Sequence, residues 1–201
     1  RAACVAALIE TVAVDCAAPR FDPSHSTVIA FPRPTDEGTP MSTRLDFSKL
    51  ALMDALDLAS LIELEATKRY TEFAESLGTR GVDDAGAVFR SMAVNETKHC
   101  EEIAQRRVAL FGDKPAKVTL DDIFDVEAPD VGDVRWNMSA HKAYQLALFS
   151  EQKAFAFYDE ALEYVEQPDV KALFEELREE EAEHVRMLVK IIAKLPPSAE
   201  I

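Results

Sequence analysis

Residues 59–70, ASLIELEATKRY, and residues 147–158, ALFSEQKAFAFY, carry the same four residues at the same places: Ala59, Glu63, Ala66 and Tyr70, then Ala147, Glu151, Ala154 and Tyr158. Each block is followed by a Glu-x-x-His pair, Glu96 with His99 and Glu181 with His184. Ala87-Val88-Phe89 precedes the first histidine by the same distance as Ala172-Leu173-Phe174 precedes the second. The chain is therefore an internal repeat of two helical hairpins. Each copy sets one Glu, then one Glu and one His, where a helix would otherwise bury leucine.

Helix positions three, four and seven apart share a face, so a seam of such steps marks the stripe that meets a core. In the last helix the seam reads Val170, Phe174, Leu177, Glu181, His184, Leu188, Ile191, Leu195. The first gives Leu52, Leu56, Ala59, Glu63, Ala66, Tyr70, Phe73, Leu77, and the third Tyr144, Ala147, Glu151, Ala154, Tyr158, Ala161, Val165. The second gives Phe89, Met92, Glu96, His99, Ile103, with Arg106 breaking the pattern one turn on. Four glutamates and two histidines thus turn inward at one depth.

Desolvating an unpaired carboxylate costs several kcal/mol or forces it to take up a proton. Arg106 is the only cation on a seam and cannot answer four acids. Two divalent metal ions can, because imidazoles add ligands without adding charge. One Glu from each of two helices plus Glu-x-x-His from each of the other two is the ligand set of di-iron and di-manganese carboxylate bundles. Glu63, Glu96, His99, Glu151, Glu181 and His184 are accordingly the expected metal ligands and catalytic centre. Alanines 59, 66, 147 and 154 leave room for the ions.

A single Glu-x-x-His in a charged helix reads as a solvated pair; two in register, each behind its own Glu-x6-Tyr, do not. The neighbouring acids Glu65, Glu101, Glu102, Glu179, Glu180 and Glu183 fall off the seams and are expected on a solvated surface. Tyr70 and Tyr158 lie about 10 Å along the face from their own glutamate by helical rise. Each either donates its hydroxyl to a carboxylate on a neighbouring helix or packs simply as core.

The 201 residues are enough for one well-packed domain. No run of 18 apolar residues is present to span a membrane. The net charge of -15 argues against nucleic acid and anionic lipid as partners and favours cations such as Fe(II). Cys4, Cys16 and Cys100 are odd in number and contain no C-x-x-C, which excludes a disulfide framework and a structural zinc site and points to a reducing cytoplasm.

Residues 1–44 differ from the rest. The apolar stretch Ala2 to Ile9 is short, Glu10 interrupts it, and Pro19, Pro23, Pro32, Pro34 and Pro40 prevent a long helix, so this segment is expected to be an extension outside the fold. Met41 looks like a natural chain start. From Ser48, a candidate N-cap, the first helix runs to Leu77, where Gly78 stops it; the second runs from about Asp83 to Phe111, closed by Gly112. The third spans about Ser139 to Glu166, and a turn at Gln167-Pro168-Asp169 leads into the fourth, which ends before Pro196-Pro197. The stretch between Phe111 and Asn137 is too long for a hairpin loop. The expected fold over 45–201 is an all-α four-helix ferritin-like bundle with one long crossover between helices two and three.

From about Ser48 to Leu195 the sequence resembles the rubrerythrin branch of the ferritin-like superfamily. That resemblance implies a di-iron centre reacting with O2 or peroxide, with Glu63 and Glu151 as the carboxylates of helices one and three and Glu96, His99, Glu181 and His184 as the paired ligands. Two departures stand out. Typical members carry a further Glu where this chain has Ala154, and a four-Cys rubredoxin domain that these residues do not include. NADH-linked peroxidase turnover would need both features, whereas oxidation of Fe(II) by O2 or H2O2 needs neither. The expected cofactor is two iron ions per chain, with manganese or zinc able to substitute, and the expected activity is that of a ferroxidase or peroxide-detoxifying oxidoreductase. An oxygenase or oxidase acting on an organic substrate, and an iron-storing protein without turnover, are the alternatives. An electron donor of unknown identity and a homodimer, as in similar bundles, complete the expectations.

Overall fold

Helix α1 (Leu52–Leu77) and helix α2 (Ala85–Phe111) form one hairpin, and α3 (Ala140–Ala161) and α4 (Pro168–Ile192) form the other. The computed structural model describes residues 45–78, 85–119 and 138–195, and no strand occurs among them. The extension assigned to 1–44 and the connection from 120 to 137 lie outside the described residues.

Contacts between the helices fix their directions. Asp57 meets Arg107, Ser60 meets Cys100 and Tyr70 meets Phe89, so α1 and α2 are antiparallel. Asp159 with Arg178 and Glu151 with His184 make α3 and α4 antiparallel as well. Across the hairpins, His99 stacks on His184 and Arg106 bonds Glu176, so α4 opposes α2. It follows that α2 and α3 run the same way, and the chain between them must travel the length of the bundle. This is the one-crossover topology the long connection predicts.

The helix ends follow local chemistry, with two corrections. Gly78 and Gly112 close α1 and α2 at φ of 64° and 61°, a left-handed conformation that costs glycine little. Ser139 caps α3, its hydroxyl accepting from the Lys142 amide at 3.2 Å, and Pro168 opens α4. Ser48, however, is not the cap of α1. It sits in a short 3-10 turn, Phe47–Lys49, held by the Asp46 carboxylate, which accepts from the Ser48 amide and hydroxyl. That turn drops Phe47 edge-on against Phe157 and Phe174, and α1 starts only at Leu52. Helix α3 ends at Ala161 rather than near Glu166, yet the turns after it still bury Val165.

Two apolar clusters fill the bundle. One gathers Phe47, Leu56, Ile103, Phe157, Phe174 and Leu177; the other gathers Tyr70, Phe73, Phe89, Met92, Leu146 and Leu188. Glu63, Glu96, Glu151 and Glu181 lie along their helices between the two. The apolar layers hold the bundle shut above and below an acidic one.

Arg107, not Arg106, is the buried cation at the end of α2. Steps of three and four both stay on a helix face, and here the step of four from Ile103 wins because Asp57 waits across the hairpin. Arg107 donates to Asp57 at 2.8 Å and to the carbonyls of Gly112 and Lys114. It thereby ties the start of the crossover to α1. Replacing it by methionine should strand Asp57 and both carbonyls and destabilise the protein by about 3 kcal/mol, measurable by urea unfolding; adding Asp57→Leu should recover part of the loss.

Candidate metal centre

Glu63 and Glu151 each sit between two alanines one turn away, Ala59 and Ala66 or Ala147 and Ala154, all fully buried. Without long neighbours on the seam, each carboxylate occupies the space between helices. Glu96 and Glu181 come in from α2 and α4, also fully buried. His99 and His184 stand three residues further on, their rings parallel within 4° and 4.8 Å apart.

The six residues of the repeat do converge. His184 Nδ1 lies 2.9 Å from Glu151 Oε2 and 3.6 Å from Glu181 Oε2. His99 Nδ1 lies 3.8 Å from Glu63 Oε2 and 3.7 Å from Glu96 Oε2. Two triads offer one ligand atom each within 4.8 Å of one another: Glu96, His99 and His184, and Glu151, Glu181 and His184. Glu63 falls just outside this grouping while remaining against His99.

Electrostatics mark the site as strained without a cation. Burial, then the charges of Glu181 and Glu96, push Glu63 well above the usual carboxylate range. Burial, then the charge of Glu151, does the same to Glu96. Glu181 rises to about 8, again chiefly by burial. The histidines split. Burial works against a charge on His184, but the hydrogen bond to Glu151 and the nearby carboxylate of Glu181 outweigh it and raise the imidazole to about 11. Burial and the neighbouring His184 drive His99 down to about 4.

Both oxygens of Glu63, both of Glu96 and one of Glu181 are buried with no hydrogen-bond partner among the described residues. Leaving such groups unmade is expensive, and each ionised one needs a cation. Four carboxylates and two imidazoles match the charge and donor preference of two divalent ions, so the residues present fit a two-metal centre.

Around this set, Tyr70 donates its hydroxyl to Glu151 Oε1 at 3.3 Å, reaching from one hairpin to the other. Tyr158 is buried and meets Phe157 and Phe174 edge-on. Cys100 turns aside, its thiol donating to the Ser60 carbonyl, and burial raises its pKa, so it is no ligand.

The seams did not reveal a cleft of about 200 Å3 between α2 and α4, bordered by His99, Glu102 and Glu180. Glu102 is exposed, as expected of an off-seam acid, but Glu180 is half-buried, and burial with the charge of Glu176 raises its pKa. The signal available in the sequence was spacing: Glu102 lies three residues from His99, and Glu180 four from Glu176.

Comparison with known proteins follows the same lines. No curated protein matches the chain. A crystal structure of an uncharacterised conserved protein from Magnetospirillum magnetotacticum MS-1 matches with a TM-score of 0.59 and 33% identity, covering 76% of this chain and 100% of that one. The rubrerythrin family profile matches residues 54–192, a span that contains all six converging side chains, and the chain belongs to the rubrerythrin family.

Proposed function

We propose that this chain is a di-iron carboxylate oxidoreductase that oxidises Fe(II) with O2 or peroxide. The observation that carries the reading is the layer of four fully buried glutamates, most of whose oxygens lack a partner, set against two stacked imidazoles. Iron bound there would supply Lewis acidity and electrons for the reduction of O2 or peroxide.

The protein's share is binding, orientation and the handling of protons. Glu96 and Glu181 would be the carboxylates shared by the two ions, since each interacts with a carboxylate of the other hairpin: Glu151 raises Glu96, and Glu181 raises Glu63. Glu63, Glu151, His99 and His184 would complete the set that holds them. The Tyr70 hydroxyl holds Glu151 in orientation through Oε1. Leu56, Ile62, Phe89 and Phe174, all essentially inaccessible, keep bulk water from the layer above and below. Burial favours the protonated forms of Glu63, Glu96 and Glu181 when no cation is present, and loading displaces such protons, so binding should acidify the medium.

The test is to add Fe(II) anaerobically to the metal-free protein, admit O2 or H2O2, and follow the ferric absorbance. Oxidation should outrun Fe(II) in buffer by at least tenfold, and Glu63→Ala should lose the advantage. A rate no faster than buffer with both oxidants would refute the activity.

A further inference from the structure

The cleft between α2 and α4 ends on His99 and carries four charged side chains: Glu102 and Arg106 from α2, Glu176 and Glu180 from α4. Arg106 is engaged by Glu176 at 2.7 Å, which leaves the carboxylates of Glu102 and Glu180 without a bonded cation among the described residues. Where the cleft meets His99, Nδ1 has no hydrogen-bond partner among the described residues, and the carboxylates of Glu63 and Glu96, likewise unpartnered among them, lie 3.8 and 3.7 Å from it.

The repeat provides an internal comparison. Moved by the separation between His99 and His184, Glu102 and Arg106 correspond to Met187 and Ile191; moved back by the same amount, Glu176 and Glu180 correspond to Ser91 and Asn95. The ligands are kept in both copies, while these four charges are found in one only. Helix packing alone does not call for them, since the other copy packs with none. We propose that this cleft is the path by which a hydrated divalent cation reaches the buried carboxylates. The proposal rests on the reading of the site as a metal centre.

Size and charge fit that occupant. A volume of about 200 Å3 holds roughly six waters at about 30 Å3 each, close to a cation with its first shell. It falls below the range of roughly 300–1,000 Å3 usual for organic ligands. Three carboxylates against one guanidinium repel anions and concentrate cations, an effect that raises on-rates by roughly 10 to 1,000-fold in a focusing cleft. The cation then meets His99 first, and passes inward as carboxylate oxygens replace its water.

Co(II) is the probe, because it does not react with O2 on this timescale and its visible absorption reports coordination. In stopped-flow mixing at low ionic strength, the Glu102→Gln/Glu180→Gln protein should load about tenfold more slowly than wild type. Its final stoichiometry should match wild type, which also shows that it is folded. The difference should shrink as salt is raised. A Glu72→Gln/Glu75→Gln protein, which loses the same charge from the exposed side of α1, should load at the wild-type rate. Equal rates for wild type and the cleft variant, or equal slowing in both variants, would overturn the path while leaving the metal centre standing. Failure of wild type to take up Co(II) at all would instead overturn the metal centre and the path with it.

Discussion

Replacing Glu181 by leucine should make the metal-free protein more stable and the metal-loaded protein less so. Glu181 is 1% exposed and interacts with His184 and with the carboxylates of Glu151, Glu63 and Glu96. Exchanging a buried ionisable side chain for an apolar one of similar volume is often stabilising, by about 1–4 kcal/mol. The same change removes a proposed ligand, and with it the linkage between binding and folding. Binding confined to the folded state adds roughly 4 kcal/mol for each ion at a thousandfold excess over Kd. In a protein of this size that is about 8–16 °C of melting temperature per ion. Melting curves with and without Fe(II) or Mn(II) should therefore cross in order between wild type and variant. Glu175→Ala, on the exposed side of the same helix, should behave as wild type. If Glu181→Leu retained the full metal-dependent rise, Glu181 would not be a ligand.

The second large effect is on pH. A group whose folded pKa is raised contributes stability in full below its unfolded value and loses it as pH climbs through the folded value. Glu181, raised from 4.5 to about 8, loses its contribution across that interval, and Glu63 and Glu96 shift in the same direction. His184, raised from 6.5 to about 11, begins to lose its contribution above 6.5. His99 has the opposite sign, but lowered from 6.5 to about 4 it acts only below 6.5. From pH 6.5 to 8 Glu181 and His184 therefore both work against the metal-free fold, and His99 does not oppose them. At about 1.4 kcal/mol per pH unit, Glu181 alone accounts for roughly 2 kcal/mol there. Melting of the chelator-treated protein should fall steadily over this window, and that of the loaded protein should not, since cations compete better as protons leave. A flat or rising metal-free profile would mean that the carboxylates are not desolvated as described.

Much of this was legible because a helix seam is a strict register. Glu63, Glu96, Glu151 and Glu181 each stand where a leucine would be buried, and the structure buries all four. Tyr70 reaches Glu151 on the neighbouring helix, one of the two roles its spacing allowed. Periodicity was weaker at the ends. Helix α3 keeps an apolar seam through Val165, but burial of that side chain needs only a turn beneath the bundle, and the helix stops at Ala161. Arg106 and Arg107 could not be separated by spacing alone, because the deciding partner, Asp57, is on another helix. The cleft was invisible for a similar reason: its walls are the flanks of two helices, and which flanks face each other is set by packing between the hairpins.

The most direct test of the central claim is anomalous diffraction at the iron edge from crystals loaded anaerobically with Fe(II). Two peaks are expected inside the bundle, one against Glu96 and His99 and one against Glu181 and His184, with Glu63 and Glu151 at their outer sides. A single peak, or density confined to the surface carboxylates, would contradict the two-metal centre.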